Sequence, residues 1–599
     1  SNQVDVMGLQ ATLYLNGQEC DIREIQMLRP RDIEKIEYHD APSGKYAKDK
    51  LVVNFITKQY RYGGYVQADG LQTIGYDHGD YNVATNYVKG NNSYTVFAGA
   101  NYSHVDGTET WNNENYQFPQ SLFDRESYSK NSYRNHQEYM QFRYQNQKGK
   151  RYWVGKFTLV NLSTPRNASS GFAKESTETD IFSNIRKKSL SPKIDLNANL
   201  PLSKNQTLTL GVHGKYSANS YHRLYQEQPF ETMTDEDENA LSFQLSAIYN
   251  YFSQKHSLSV ELFHYHDVWN ADYSGNCELW QHLWKGESLA FFSYNFQASR
   301  RLSLKTRIGL DWLQYHLHGD NSFSQLSPRI NTNVQYQLNK GMLLWSFNFM
   351  NSNHGMDVIN RAMIQVNSHM MEKGMPELKK SHDINTYLYY MGRFNRLSVS
   401  AIGQFRYNHH PVTDDYYLDE ANGKIVKTYS NGGNAQYYSA ILALQYKLCK
   451  FANLSGDIRY NHAEVKTTWS KHNNNLTGNL GLNMFMGDFA LKPYLHFGKK
   501  SLDEAALVIS KTPIDYGMSC SYSRGNLYVE LQAVSPFKKQ EKRYWLDLPI
   551  YSYSKSIKDQ TASQYASIKV AYSFDFGRKT QKVKKDVNKN INSSLLRVE

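Results

Sequence analysis

No part of this sequence could cross a membrane as a helix. That takes about 18 or more consecutive apolar residues, and the 599 residues contain no such run. Cysteine is scarce: Cys20, Cys277, Cys449 and Cys520 lie far apart in no zinc or redox spacing, so neither a metal centre nor a disulfide framework is expected. Beyond residue 58 no stretch of helical period is long enough to lay a second layer over a sheet. Also absent are a Gly-x-Ser-x-Gly elbow in a strand-to-helix context, a phosphate loop and a His-Glu-x-x-His pair. Accordingly, no catalytic residue, cofactor or metal ligand is named, and the chain is not expected to be an enzyme. The formal charge is +12, but the basic residues are scattered except for one cluster at the very end, which argues against a nucleic-acid partner.

What the sequence has is aromatics, 14% of residues with Tyr leading at 47, and a period of two. Tyr94, Val96, Ala98, Ala100 and Tyr102 alternate with polar neighbours, as do Leu208, Leu210, Val212 and Tyr216, and Leu302, Leu304, Ile308, Leu310 and Trp312. Apolar content is only 40%, which suits strands that show lipid with every second residue and a wet lumen with the others. Short turns (Gly90-Asn91-Asn92, Lys148-Gly149-Lys150, Arg524-Gly525-Asn526) alternate with longer polar segments read as outside loops: Asp106–Lys130, Ser163–Arg186, Ser220–Asp237, Asn353–Ser381, Pro411–Asn434 and Pro536–Gln560. The strands flanking the turns number about 22, an even count that suits a closed antiparallel barrel. The fold class expected is therefore all-β membrane, with a partial αβ domain ahead of the barrel.

That domain centres on IEKIEYHDAPSGKYAKDKLVVNFITK, from Ile33 to Lys58. Asp32, Ile33, Glu34, Ile36, Glu37, Pro42, Ser43 and Tyr46, then Val53, Asn54, Ile56, Thr57 and Lys58, resemble the end of the plug domain of TonB-dependent outer-membrane receptors, which leads into the first barrel strand. Leu13-Tyr14-Leu15-Asn16-Gly17 is similar to an earlier plug strand, and Asp21–Leu28 to the helix after it; Ala47-Lys48-Asp49-Lys50 stands where the family has glycines. Leu326-Ser327-Pro328-Arg329 resembles a strand opening of these receptors. Gly374, Pro376, Leu378 and Lys379 resemble an outside-loop motif, with Met375 and Lys380 in place of Asn and Pro. The likeness is closest to receptor-like barrels that carry a carboxypeptidase-regulatory-like domain before the plug.

The resemblance implies three parts: the C-terminal portion of a plug (1–58), a barrel (59–576) and a basic periplasmic tail (577–599). It implies import of a nutrient whose identity is open, with the plug residues Asn16, Gly17, Asp32, Ile33, Glu34, Glu37, Pro42, Ser43, Tyr46, Asn54, Thr57 and Lys58 in structural or gating roles. Implied partners are outer-membrane lipid and lipopolysaccharide, an inner-membrane TonB complex, and a surface lipoprotein or other outer-membrane protein. A non-transporting barrel subunit or scaffold is the alternative. Ser1-Asn2 is an unexpected start for an exported protein, so a processed or trimmed chain is expected. The pairs His264/His266 and His316/His318 are read as outward interface residues, Met363, Met370, Met371 and Met375 as adaptable loop packing, and Asp235-Glu236-Asp237-Glu238 as a solvated acidic loop.

Overall fold

The computed structural model describes residues 4–6, 9–15, 18–20, 33–39, 52–57, 62–119, 121–253, 255–320, 322–352, 355–558, 563–578 and 589–590. Antiparallel strands from Tyr62–Ile74 to Tyr565–Arg578 close into a barrel of 22 strands. Closure is direct: Ala566 faces Ile74 and Arg578 faces Tyr62 across the seam. Tight turns at one rim need backbone that twists with the strands; Gly149 and Gly525 supply it at φ 61°, and Asn395 at φ 51°.

The wall inverts the burial pattern of a water-soluble protein. Along Glu178–Ser203, Leu190, Ile194 and Leu196 are exposed while Ser189, Ser191 and Lys193, at the alternate positions, are buried. Leu304, Ile308, Leu310 and Trp312 are likewise exposed, with Asp311 fully enclosed. On the closing strand Ile568, Val570, Tyr572, Phe574 and Phe576 look outward, and Ser567 and Ser573 inward. Only a hydrocarbon surround makes such a surface favourable, and only a closed barrel satisfies every backbone group within it.

Several segments expected as loops are strand. Asn92–Phe118 pairs with Ser121–Lys148 up to Phe118 and Ser121. Arg151–Lys174 pairs with Glu178–Ser203 up to Lys174 and Glu178, and Gln206–Glu227 with Phe230–Phe252 up to Glu227 and Phe230. The polar stretches thus mark where strands leave the lipid, not where they end, because the backbone ladder does not depend on side-chain polarity. The same alternation divides the supposed acidic loop: Glu236 and Glu238 are buried inside, where Tyr273 Oη donates to Glu236 (3.0 Å) and Asn219 Nδ2 to Glu238 (2.6 Å). Asp235 faces outward on His222 (2.6 Å).

At the short-turn end the barrel holds a five-stranded sheet. Leu9–Leu15 runs parallel to Val52–Thr57, which pairs antiparallel with Ile33–His39; Val4–Val6 and Gln18–Cys20 flank Leu9–Leu15. Ala11 is fully buried against the inward residues Met342, Leu344, Tyr387 and Tyr389, with Val53 and Ile402 beside them. The expected helix at 21–28 and the turn at 41–44 lie outside the described residues. Of the tail, Gly577 and Arg578 finish the last strand. Lys589 places its ammonium 4.1 Å from the Tyr139 ring centre and Lys193 donates to the Asn590 carbonyl, so both tail residues lie against the inner wall.

Ala11→Phe overfills this contact at a cost of ~1–3 kcal/mol. It should make the plug sheet of otherwise folded barrels more sensitive to limited proteolysis; unchanged protection would show that the sheet is not seated there.

Candidate functional site: the lumen and its cap

Across the opposite end of the lumen lie two segments that, among the described residues, leave the wall. Met363–Gln365, Met370–Lys373, Lys424–Ser430 and Thr413–Asp419 form a four-stranded sheet in that order, with the central pair parallel. Its apolar face is anchored on both sides of the mouth. Met370, Tyr416 and Ile425 pack with the wall residues Tyr116, Val465 and Tyr551 and with Leu507 in the turn after Lys499–Asp503. Ile359 and Leu378 pack with Trp269, Leu283, Tyr315 and Leu317, and Ala362 and Ile364 with Ile185, Tyr221 and Tyr273.

Polar contacts fix the same cap. Arg223 donates from both terminal nitrogens to the carbonyls of Gln365 and Val366 (3.0 and 2.6 Å). Asn367 Nδ2 donates to Tyr116 Oη (3.1 Å), Ser368 Oγ to Glu227 (3.2 Å), and His369 Nε2 lies 2.7 Å from Glu175. Beneath them is a buried charge cluster: Arg125 bonds Glu227 and lies 3.4 Å from Glu114 and 3.6 Å from Glu175. Tyr225, Tyr116 and Tyr551 complete it, with Tyr225 hydroxyl on Glu227 (2.9 Å) and the other two on Glu114 (2.9 and 2.7 Å). Burial works against the Arg125 charge, but Tyr225, Glu114 and Glu227 more than offset it and hold its pKa above the ordinary value.

Within the cap sheet, Lys427 lies 3.6 Å from Glu372 and 3.4 Å from Asp414. Burial would lower its pKa, yet the two carboxylates hold it above the ordinary value. Asp414 responds oppositely: burial pushes its carboxyl up to about 6 despite Lys427.

The outside-loop motif anchors this cap. A Cβ on Gly374 would stand 2.2 Å from the Asn360 carbonyl oxygen and 2.8 Å from that of Val358, so the chain can pass only without a side chain. Leu378 is buried in the anchor described above. The Lys379 backbone exchanges hydrogen bonds with the Asn431 side chain (2.9 and 2.5 Å), tying one cap segment to the other. Pro376 is half-buried between them.

Of the plug residues, Glu37 and Asn54 face each other across neighbouring strands, and the buried Asn54 amide donates to the Glu37 carboxylate (2.7 Å), which also holds Lys35 (2.7 Å). Ile33 is the register partner of Thr57, and Glu34 is on the same strand as Ile33. Asn16, Gly17, Asp32, Pro42, Ser43, Tyr46 and Lys58 lie outside the described residues. The outward histidines meet separate partners: His264 Ser288 (2.9 Å), His266 Trp284, His316 Ser322 (3.1 Å) and His318 Trp280. Met370 and Met375 join different apolar clusters. Sequence reasoning missed Arg125, Glu114, Glu227 and Lys427, because nothing in their spacing distinguishes them from other alternating polar residues.

The barrel thus carries an N-terminal sheet seated on its inner wall at the turn end and a loop-built sheet anchored across the other end. The fold is that of TonB-dependent outer-membrane receptors. No family model and no curated protein matches the chain, so the likeness is one of fold. The copper transporter OprC superposes with a TM-score of 0.61 at 10% identity over 94% of this chain and 93% of its own. Values for the siderophore receptor PirA of Pseudomonas aeruginosa are 0.53, 12%, 95% and 93%, and for the FrpB iron transporter of Neisseria meningitidis (F3-3 variant) 0.55, 9%, 95% and 93%.

Arg125→Ala leaves Glu114 and Glu227 buried without their cation, a loss of ~3–5 kcal/mol. Hydrogen exchange across 363–373 should accelerate while the lower barrel strands stay protected. Because the closed cap binds the Asp414 proton more tightly than an opened one, that group favours closure below pH ~4. The contribution fades as pH rises through about 6. Exchange at 413–419 should therefore quicken between pH 5 and 7, and Asp414→Asn should flatten the profile.

Proposed function

We propose that this chain is an outer-membrane receptor-transporter that imports a nutrient through a plugged barrel, drawing energy from an inner-membrane TonB complex. The observation that carries the reading is the seating of the Val4–Thr57 sheet on the inner wall: an occupied lumen cannot conduct passively. The outer membrane holds no ATP, so displacing the sheet requires force from another membrane. The exposed apolar band and the even, closed antiparallel wall support outer-membrane placement. OprC and FrpB are transporters by name, PirA a siderophore receptor, which supports transport as the class of activity. The cap supplies the outer gate, its Arg125 and Lys427 clusters being the charged contacts that would rearrange when substrate enters.

A strain lacking this gene, compared with its parent across a panel of sole nutrient sources, should grow poorly on at least one. Disrupting the TonB complex should reproduce that defect. Unchanged growth on every source, together with co-purification of a protein partner at fixed stoichiometry, would favour the non-transporting subunit instead.

A further inference from the structure

The outer wall carries, on neighbouring strands, a row of cations that the transport reading does not use. Cross-strand register places Asp77 opposite His104, His104 opposite Arg134, and Arg134 opposite Arg166. Arg166 sits at the bulge between Thr164 and Asn167, whose partners Lys187 and Ile185 flank Arg186. Arg186 in turn faces His222, and His222 faces Asp235. The three arginines are exposed and share the outward face: Arg134 has the parity of Met140 and Phe142, and Arg186 that of Leu190 and Ile194. Lys188 adds a further exposed cation beside them.

Like charges placed side by side across strands destabilise a sheet, yet among the described residues none of these cations has a carboxylate within salt-bridge distance. The carboxylates at the two ends are engaged by histidines, Asp77 by His104 (3.1 Å) and Asp235 by His222 (2.6 Å). Asp106 accepts from Ser132 (2.5 Å), and Glu138, toward the lipid, from Asn161 (3.2 Å). The row is therefore built for an anion from outside the protein.

Its position indicates the anion's source. On the short-turn side the outward residues are apolar as far as Met140, Leu159 and Leu190, where acyl chains lie. On the long-loop side, six residues on, ~20 Å at about 3.4 Å per residue, is an outward aromatic ledge. Trp111 packs on Tyr128 (4.3 Å between ring centres) and Tyr128 on Phe172 (5.8 Å). Apolar wall, guanidinium row and aromatic ledge follow one another as acyl chains, phosphates and sugars do in a phosphorylated glycolipid.

We propose that this face of the barrel binds one phosphorylated glycolipid of the outer leaflet, its phosphates on Arg134, Arg166 and Arg186 and its sugars on Trp111, Tyr128 and Phe172. The site rests on outer-membrane placement and not on transport. Guanidinium forks suit phosphate oxygens bidentately, and the low-dielectric boundary strengthens each contact.

The test uses the full chain, taken from outer-membrane fractions in mild detergent and checked for a folded barrel by heat-modifiable migration. Native mass spectrometry of the wild type should show one bound glycolipid. The triple variant Arg134→Gln, Arg166→Gln, Arg186→Gln should lose occupancy at least about tenfold, ~1.4 kcal/mol, whereas Arg→Lys at the same positions retains part of it. Purified diphosphorylated lipid A should rebind to delipidated wild type, and inorganic phosphate alone should not displace it. Equal occupancy in the Gln variant, or displacement by free phosphate, would overturn the proposal. Recovery of the protein outside the outer-membrane fraction would instead refute the placement on which it stands.

Discussion

The governing constraint is that every backbone N–H and C=O crossing hydrocarbon must find a partner within the protein. Strands meet it only by closing on themselves, and here closure comes when the Tyr565–Arg578 strand pairs with Tyr62–Ile74. A barrel of this many strands encloses more space than its own side chains can fill. Everything else in the structure answers that surplus: a small sheet seated on the inner wall at the turn end, a roof of two loop segments at the other, and tail residues lying against the wall between Lys193 and Tyr139.

The two closures are built differently, and the difference bears on which can open. Where Ala11 meets Met342, Leu344, Tyr387 and Tyr389, the plug contact is apolar. The roof combines apolar anchors at both sides of the mouth with buried charge, Arg125 among Glu114, Glu175 and Glu227, and Lys427 between Glu372 and Asp414. Buried ion pairs are costly to assemble and costlier to leave half-made. Partial separation of such a roof would leave buried charge uncompensated.

Legibility followed the range of the interaction. Alternation is local, so the strand faces of Leu208–Tyr216 and Leu302–Trp312 could be read from the residues, and within Ile33–Lys58 the structure forms strands at Ile33–His39 and Val52–Thr57. The Gly374 and Leu378 positions were noticed only as a pattern; their reasons are a backbone crossing at Asn360 and an apolar anchor far away in the chain. The loop reading of 106–130, 163–186 and 220–237 failed because polarity reports the solvent around a strand and not its hydrogen bonding. Asp235–Glu238 shows this in one place: four adjacent acids, two facing in and two facing out.

The sequence by itself determined that the chain forms alternating two-faced strands joined by tight turns, because those properties depend on neighbours one or two residues apart. Alternation alone does not say which way the apolar positions face, since a sandwich would turn them inward; closure of the wall turns them outward, and that identifies the surroundings as lipid. Only the tertiary structure decided which polar residues come to share a site. Arg125 and Glu227, or Arg134 and Arg186, lie far apart in the chain, and they are brought together by strand register and barrel closure.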